Sequence, residues 1–142
     1  MNEELEDEFY FLRNFVIDEL ENCKIENIII HGNSEDNSVV FVLLKVYEVN
    51  WQKYFLDAGA GFWYDTETKD YQMIDCIEEH DYYFTTDYTE KFNIKNNIIR
   101  KAFCEPNDKN SRIILELENG ERIVLRLKNS KIFDDDCEIL IE

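Results

Sequence analysis

The clearest periodic signal in the chain lies between Arg112 and Lys128, where apolar and polar residues alternate on both sides of an Asn119-Gly120 pair. Ile113, Leu115 and Leu117 alternate with Arg112, Glu116 and Glu118, and past the turn Ile123, Leu125 and Leu127 alternate with Arg122, Arg126 and Lys128. A period of two predicts strands with one face buried, so this stretch reads as a hairpin with strands at 112–117 and 121–128. A two-residue loop would place Leu117 opposite Arg122 and throw the apolar sets onto opposite faces. A three-residue loop, Glu118-Asn119-Gly120, pairs Leu115 with Ile123, Ile113 with Leu125 and Glu116 with Arg122, and gives Gly120 a left-handed position. Ile114 and Val124 make the second face partly apolar, which calls for a cover.

An N-terminal helix over 3–22 is the candidate for that cover. Leu5, Phe9, Leu12, Val16 and Leu20 recur at three- and four-residue steps, and acids crowd the first turn, where the helix dipole favours them. Further strands are predicted at about 25–31, 38–49, 51–57, 71–77, 82–88, 94–104 and 137–142. The first half of 38–49 is apolar on both faces and β-branched, which suits a central strand. Ala58-Gly59-Ala60-Gly61 lets the backbone bend or pack closely before Phe62-Trp63-Tyr64. The pattern predicts a single α+β domain: an N-terminal amphipathic helix packed on a bent, mainly antiparallel sheet.

Composition then narrows the function. In 142 residues there are 32 acidic and 15 basic side chains, a formal charge of −17. Such a charge repels nucleic acid and anionic membrane and attracts basic partners. It is unevenly spread: residues 57–90 hold ten acids and one base, whereas residues 91–112 hold six bases and two acids. The longest apolar run, Val39 to Leu44, falls far short of the roughly 18 residues a membrane span needs. The acidic start, MNEELEDEF, does not read as a secretory signal. Cys23, Cys76, Cys104 and Cys137 are widely spaced and form no CxxC pair, which suits reduced thiols in a cytoplasmic protein. No metal ligand set or cofactor is expected.

No motif encodes a known chemistry. The glycine pair at 59 and 61 lacks the Lys-Ser/Thr of a phosphate loop, and Asp65–Asp70 lacks the glycine and final glutamate of a calcium loop. His80-Asp81 and His31 have no nucleophile placed beside them. The candidate site is instead a binding surface that interleaves acids with rings: Asp57, Phe62, Trp63, Tyr64, Asp65, Glu67, Asp70, Glu78, Glu79, Asp81, Tyr83 and Asp87. Rings supply desolvated contact, and charges supply steering and selectivity.

The leading acidic helix expected over 3–22, the stretch FLDAGAGFWYD (55–65) and the hairpin ELENGERIVLRL (116–127) together resemble small acidic bacterial toxin-immunity proteins. That resemblance implies a single cytoplasmic domain that is no enzyme and that plugs a basic surface on a toxin. Two rival expectations stand beside it. One is a nucleic-acid mimic that occupies a DNA- or RNA-binding groove, with carboxylates in rows. The other is a small ligand-binding or enzymatic domain with a pocket near residues 59–64.

Overall fold

A computed structural model describes residues 9–11, 15–35, 37–57, 60–66, 68–69, 83–105, 111–128 and 136–142. Within them the chain forms ten strands: β1 (Phe9–Phe11), β2 (Ile25–Asn33), β3 (Ser38–Val46), β4 (Gln52–Asp57), β5 (Ala60–Asp65), β6 (Tyr83–Asp87), β7 (Ile99–Glu105), β8 (Arg112–Leu117), β9 (Arg122–Leu127) and β10 (Cys137–Ile141). They build two antiparallel sheets, one of six strands in the order β1-β5-β4-β3-β2-β6 and one of four in the order β10-β9-β8-β7. A single apolar cluster lies between the sheets, with Ile28, Ile30, Val42, Leu44, Tyr54 and Trp63 from the larger and Ala102, Ile113, Leu115, Ile123 and Leu125 from the smaller.

The α+β expectation is therefore corrected: the described residues are nearly all β, and those of them within 3–22 do not form the expected amphipathic helix. They hold β1, an isolated bridge from Val16 to Phe103 and one 3-10 turn at Asp18–Leu20. The reason is edge cover. β1 pairs with β5 and closes one edge of the larger sheet. Residues 15–23 run along the outer edge of β7: Cys104 N–H donates to the Phe15 carbonyl (2.8 Å), Ile17 N–H to that of Ala102 (2.8 Å), and Ile99 N–H to that of Cys23 (2.9 Å). Main-chain groups that a helix would satisfy internally are spent on two open sheet edges, while Phe15, Ile17 and Leu20 still reach the core.

The hairpin matches its predicted register, with Leu115 opposite Ile123, Ile113 opposite Leu125 and Glu116 opposite Arg122, and Gly120 has φ +94°. Of the other predicted strands, 94–104 starts late, at Ile99, because Thr89–Asn97 is a turning segment that buries Ile94 under β2. Of the two roles expected for Ala58–Gly61, a bend or close packing, Gly61 shows the second, since Ala60–Asp65 is strand β5 throughout. Gly61 faces the core, where a Cβ would lie 2.7 Å from Cys104 Sγ and 3.2 Å from Phe15. The predicted strand 71–77 lies outside the described residues.

The second face of the hairpin is covered by arginines, not by a helix. On the outside of the smaller sheet, Ile114 and Val124 sit side by side between two rows of charge. One row holds Glu138, Arg126, Arg112 and Glu105, and the other holds Glu142, Arg122, Glu116 and Lys101. Arg112 reaches from its row to Glu142 (3.7 Å), Arg126 to Glu142 (4.0 Å) and Arg122 to Glu105 (3.9 Å). Each arm thus crosses the apolar pair, and both Ile114 and Val124 are wholly buried.

Candidate interaction surface

Side chains alternate across a strand, so each strand of the larger sheet presents one set to the core and one to the outside. In β3 the outer set is Phe41, Leu43 and Lys45. In β4 it is Lys53, Phe55 and Asp57, and in β5 it is Phe62 and Tyr64. Registry lines these up across the sheet. Tyr64, Lys53, Leu43, Ile29 and Asp87 form one continuous row over five strands. Beside it lie two shorter runs, Phe62–Phe55 across β5 and β4 and Phe41–His31–Thr85 across β3, β2 and β6.

The rings fall into two contacting groups. Phe55 stacks on Phe62 with centroids 5.1 Å apart and lies 6.0 Å from Tyr64. Phe41 stacks on His31 at 4.6 Å. Lys53 ties the two groups together, its Nζ 4.5 Å from the Phe41 ring and 5.9 Å from that of Tyr64, within cation–π range. Phe41, Phe55, Phe62 and Tyr64 are half-buried, whereas Leu43 and Trp51 beneath them are buried. His31 is buried, its Nδ1 3.1 Å from the Thr85 hydroxyl. Lys45 is also buried, donating to the Val46 carbonyl (2.7 Å) and reaching Glu26 (3.5 Å).

The sequence-derived candidates separate on this geometry. Phe62 and Tyr64 lie together on the outer face. Trp63, between them, points the other way and is wholly buried; it stacks on Tyr54 and donates its Nε1–H to Gln52 Oε1 at 2.7 Å. Asp57 is exposed at the end of β4. Asp65 is half-buried and accepts from Asn50 Nδ2 at 3.1 Å. Asp87 is exposed but engaged: Oδ1 accepts from the Thr89 main chain and Oδ2 from Asn27 Nδ2. Tyr83 is placed by its backbone opposite Asn33. Glu67, Asp70, Glu78, Glu79 and Asp81 lie outside the described residues. The described part of the surface thus brings rings together around a lysine, with Asp57 and Asp87 at its borders.

Sequence reasoning missed Phe41, Lys53 and Phe55. The signal was present, because 38–57 keeps apolar residues on both faces of consecutive strands where a one-sided pattern would have sufficed for the core.

Other chemistry is sparse among the described residues. Cys23, Cys104 and Cys137 are free thiols, and no group of three metal-ligating side chains occurs there. Burial pushes the Cys104 thiol up to about 11, and the Cys23 thiol is also raised, by burial and by Glu19 and Glu48. Neither is poised as a nucleophile. No helix among the described residues is long and apolar enough to cross a membrane. Comparison of the chain with protein-family models, with curated proteins and with solved structures finds no match.

Proposed function

We propose that this chain is a cytoplasmic binding protein that neutralises a basic protein partner, and that its specific role is immunity against a bacterial toxin. The observation that carries the reading is the array of Phe41, Phe55, Phe62 and Tyr64 on the outside of the six-stranded sheet. An antiparallel sheet with one packed face ordinarily turns polar residues outward. Here Phe55, Phe62 and Tyr64 lie in contact and Lys53 links them to Phe41, and interface binding energy concentrates in a few such ring-rich spots. The charge of −17 supplies the sign of the partner and would steer it at low ionic strength.

The nucleic-acid-mimic alternative draws less support. On the outside of the smaller sheet the carboxylates of Glu105, Glu116, Glu138 and Glu142 each lie within 4.0 Å of an arginine, which cancels the phosphate-like field a mimic requires. The pocket alternative is weakened at Gly61, whose core side is filled by Cys104 and Phe15.

The test is affinity capture from the native host at low and moderate salt, followed by purification of the captured protein and assay of its activity. The expected result is a basic protein whose toxic activity the chain suppresses, with Phe55→Ser and Tyr64→Ser each weakening the complex at least tenfold, equivalent to about 1.4 kcal/mol. A partner whose affinity is unchanged by both substitutions would remove the aromatic array from the function. A captured partner that is acidic, or whose activity is unaffected, would remove inhibition of a basic protein.

A further inference from the structure

The four sheet edges among the described residues are β1, β6, β7 and β10. β1 is only three residues long, and β7 is closed by residues 15–23. The edge strand β6 carries Thr85, Thr86 and Asp87. The fourth edge, β10, reads Cys-Glu-Ile-Leu-Ile and has no proline, no lysine and no register shift against β9, the devices that ordinarily protect an edge.

Its hydrogen-bonding pattern fixes which main-chain groups face out. Glu142 and Arg122 exchange both N–H···O bonds (2.8 and 3.1 Å), and Lys128 N–H donates to the Asp136 carbonyl. Bonded pairs alternate along an antiparallel ladder, so Leu140 and Glu138 bond to β9, whereas Ile139 and Ile141 direct N–H and C=O away from it. Among the described residues nothing bonds to those outward groups of Ile139 and Ile141. Both side chains are half-buried against the core.

We propose that this edge accepts an extended segment of a partner protein as a fifth strand, and that the segment has the pattern basic, apolar, apolar, apolar, basic. The pattern is set by Glu138-Ile139-Leu140-Ile141-Glu142. A strand added here sets its end residues beside Glu138 and Glu142 and its middle residue beside Leu140, continuing the apolar row through Val124 and Ile114. Its second and fourth residues lie beside Ile139 and Ile141. β9 already satisfies this pattern from the other side, because Arg122-Ile123-Val124-Leu125-Arg126 pairs with the same five residues. Acceptor capacity remains: Arg126 Nε donates to Glu138 Oε2 (3.0 Å), leaving Oε1, while Glu142 has arginine contacts only at 3.7–4.0 Å. A second copy of the chain fits poorly, because β10 against itself sets glutamates near glutamates.

This surface lies on the opposite sheet from the ring array, and only the sign of the partner's charge is shared with the reading above. The probe is a fluorescein-labelled, capped peptide Gly-Arg-Ile-Val-Leu-Arg-Gly, titrated by fluorescence anisotropy against the whole chain. Saturable binding is expected, with slowed amide exchange at Ile139 and Ile141. N-methylation of the peptide's Ile and Leu, whose N–H groups face β10, should weaken binding by about tenfold or more, and N-methylation of its Val should not. Ile141→Pro should abolish binding with the β9 ladder intact, since that N–H points away from β9. Equal loss on methylating Val, tight binding of a Glu-Ile-Val-Leu-Glu counterpart, absence of saturable binding, or a homodimer formed through Ile139 and Ile141 would each overturn the proposal.

Discussion

Tyr54 and Trp63 lie face to face in the core, their ring centroids 4.6 Å apart and their planes 1° from parallel, with the indole N–H donated to Gln52. All three side chains are almost wholly buried. Trp63→Ala should cost about 3–5 kcal/mol, through lost contact and the cavity left behind. Trp63→Phe should cost less, about 1–3 kcal/mol for the orphaned Gln52 oxygen beyond the smaller ring. Phe62→Ala, one residue away on the outer face, should cost clearly less than Trp63→Ala. Urea denaturation of the three variants reads the order directly.

Two glycines should respond to alanine for different reasons. At Gly61 the backbone is ordinary but a methyl group would press on Cys104 Sγ, so Gly61→Ala should destabilise by roughly 1–3 kcal/mol through overpacking. At Gly120 the space is open but φ is +94°, so Gly120→Ala should cost about 1 kcal/mol through backbone strain alone. A Cys104→Ala background should relieve the first and leave the second untouched, as measured by denaturation midpoints.

Alkaline pH should unfold the protein earlier than its charge alone would suggest. Burial raises the Cys104 thiol from 9.0 to about 11 and raises the Tyr54 phenol as well. An acid whose folded pKa exceeds its unfolded value binds its proton more tightly in the folded state. The stability it contributes is complete below its unfolded pKa, 9.0 for Cys104 and 10.0 for Tyr54, and falls as pH rises from there toward the folded pKa, by about 1.4 kcal/mol per unit for each such group. Denaturation at pH 8 and pH 10.5 should show the loss, and Cys104→Ala should flatten the slope between them.

The arginine cover of Ile114 and Val124 separates the roles of stem and charge. Arg122→Ala should cost about 1–2 kcal/mol by exposing the two side chains, because buried apolar area contributes roughly 25 cal/mol per Å². Arg122→Met restores most of the cover without the charge and should recover more than half of that loss, since partly exposed ion pairs contribute only about 0–1 kcal/mol. Recovery by Lys but not by Met would assign the effect to charge instead. Thermal denaturation of the three variants makes the comparison.

What could be read from the chain depended on whether a signal was local. The hairpin register came from alternation plus Asn119-Gly120, both local, and the pairing of Leu115 with Ile123 bears it out. The N-terminal segment misled because its apolar spacing fits a helix as well as it fits Phe15, Ile17 and Leu20 reaching into the core from an extended run. What decided the matter was the open edges of β5 and β7, which sit far away in sequence. For the surface, alternation separates Trp63 from Phe62 and Tyr64 once Ala60–Asp65 is known to be a strand. The joining of Phe41 and Phe55 to Phe62 required the order of three strands, which no single stretch encodes.

The outer wall of the smaller sheet has a further effect through its balance. Four carboxylates there (Glu105, Glu116, Glu138 and Glu142) offset four cations (Lys101, Arg112, Arg122 and Arg126), so the wall adds no monopole to a molecule of −17. The surplus negative charge is carried by other residues of the chain. A cationic segment docking at the rim of that wall would therefore be held by short-range contacts and not drawn in by a field from the wall itself.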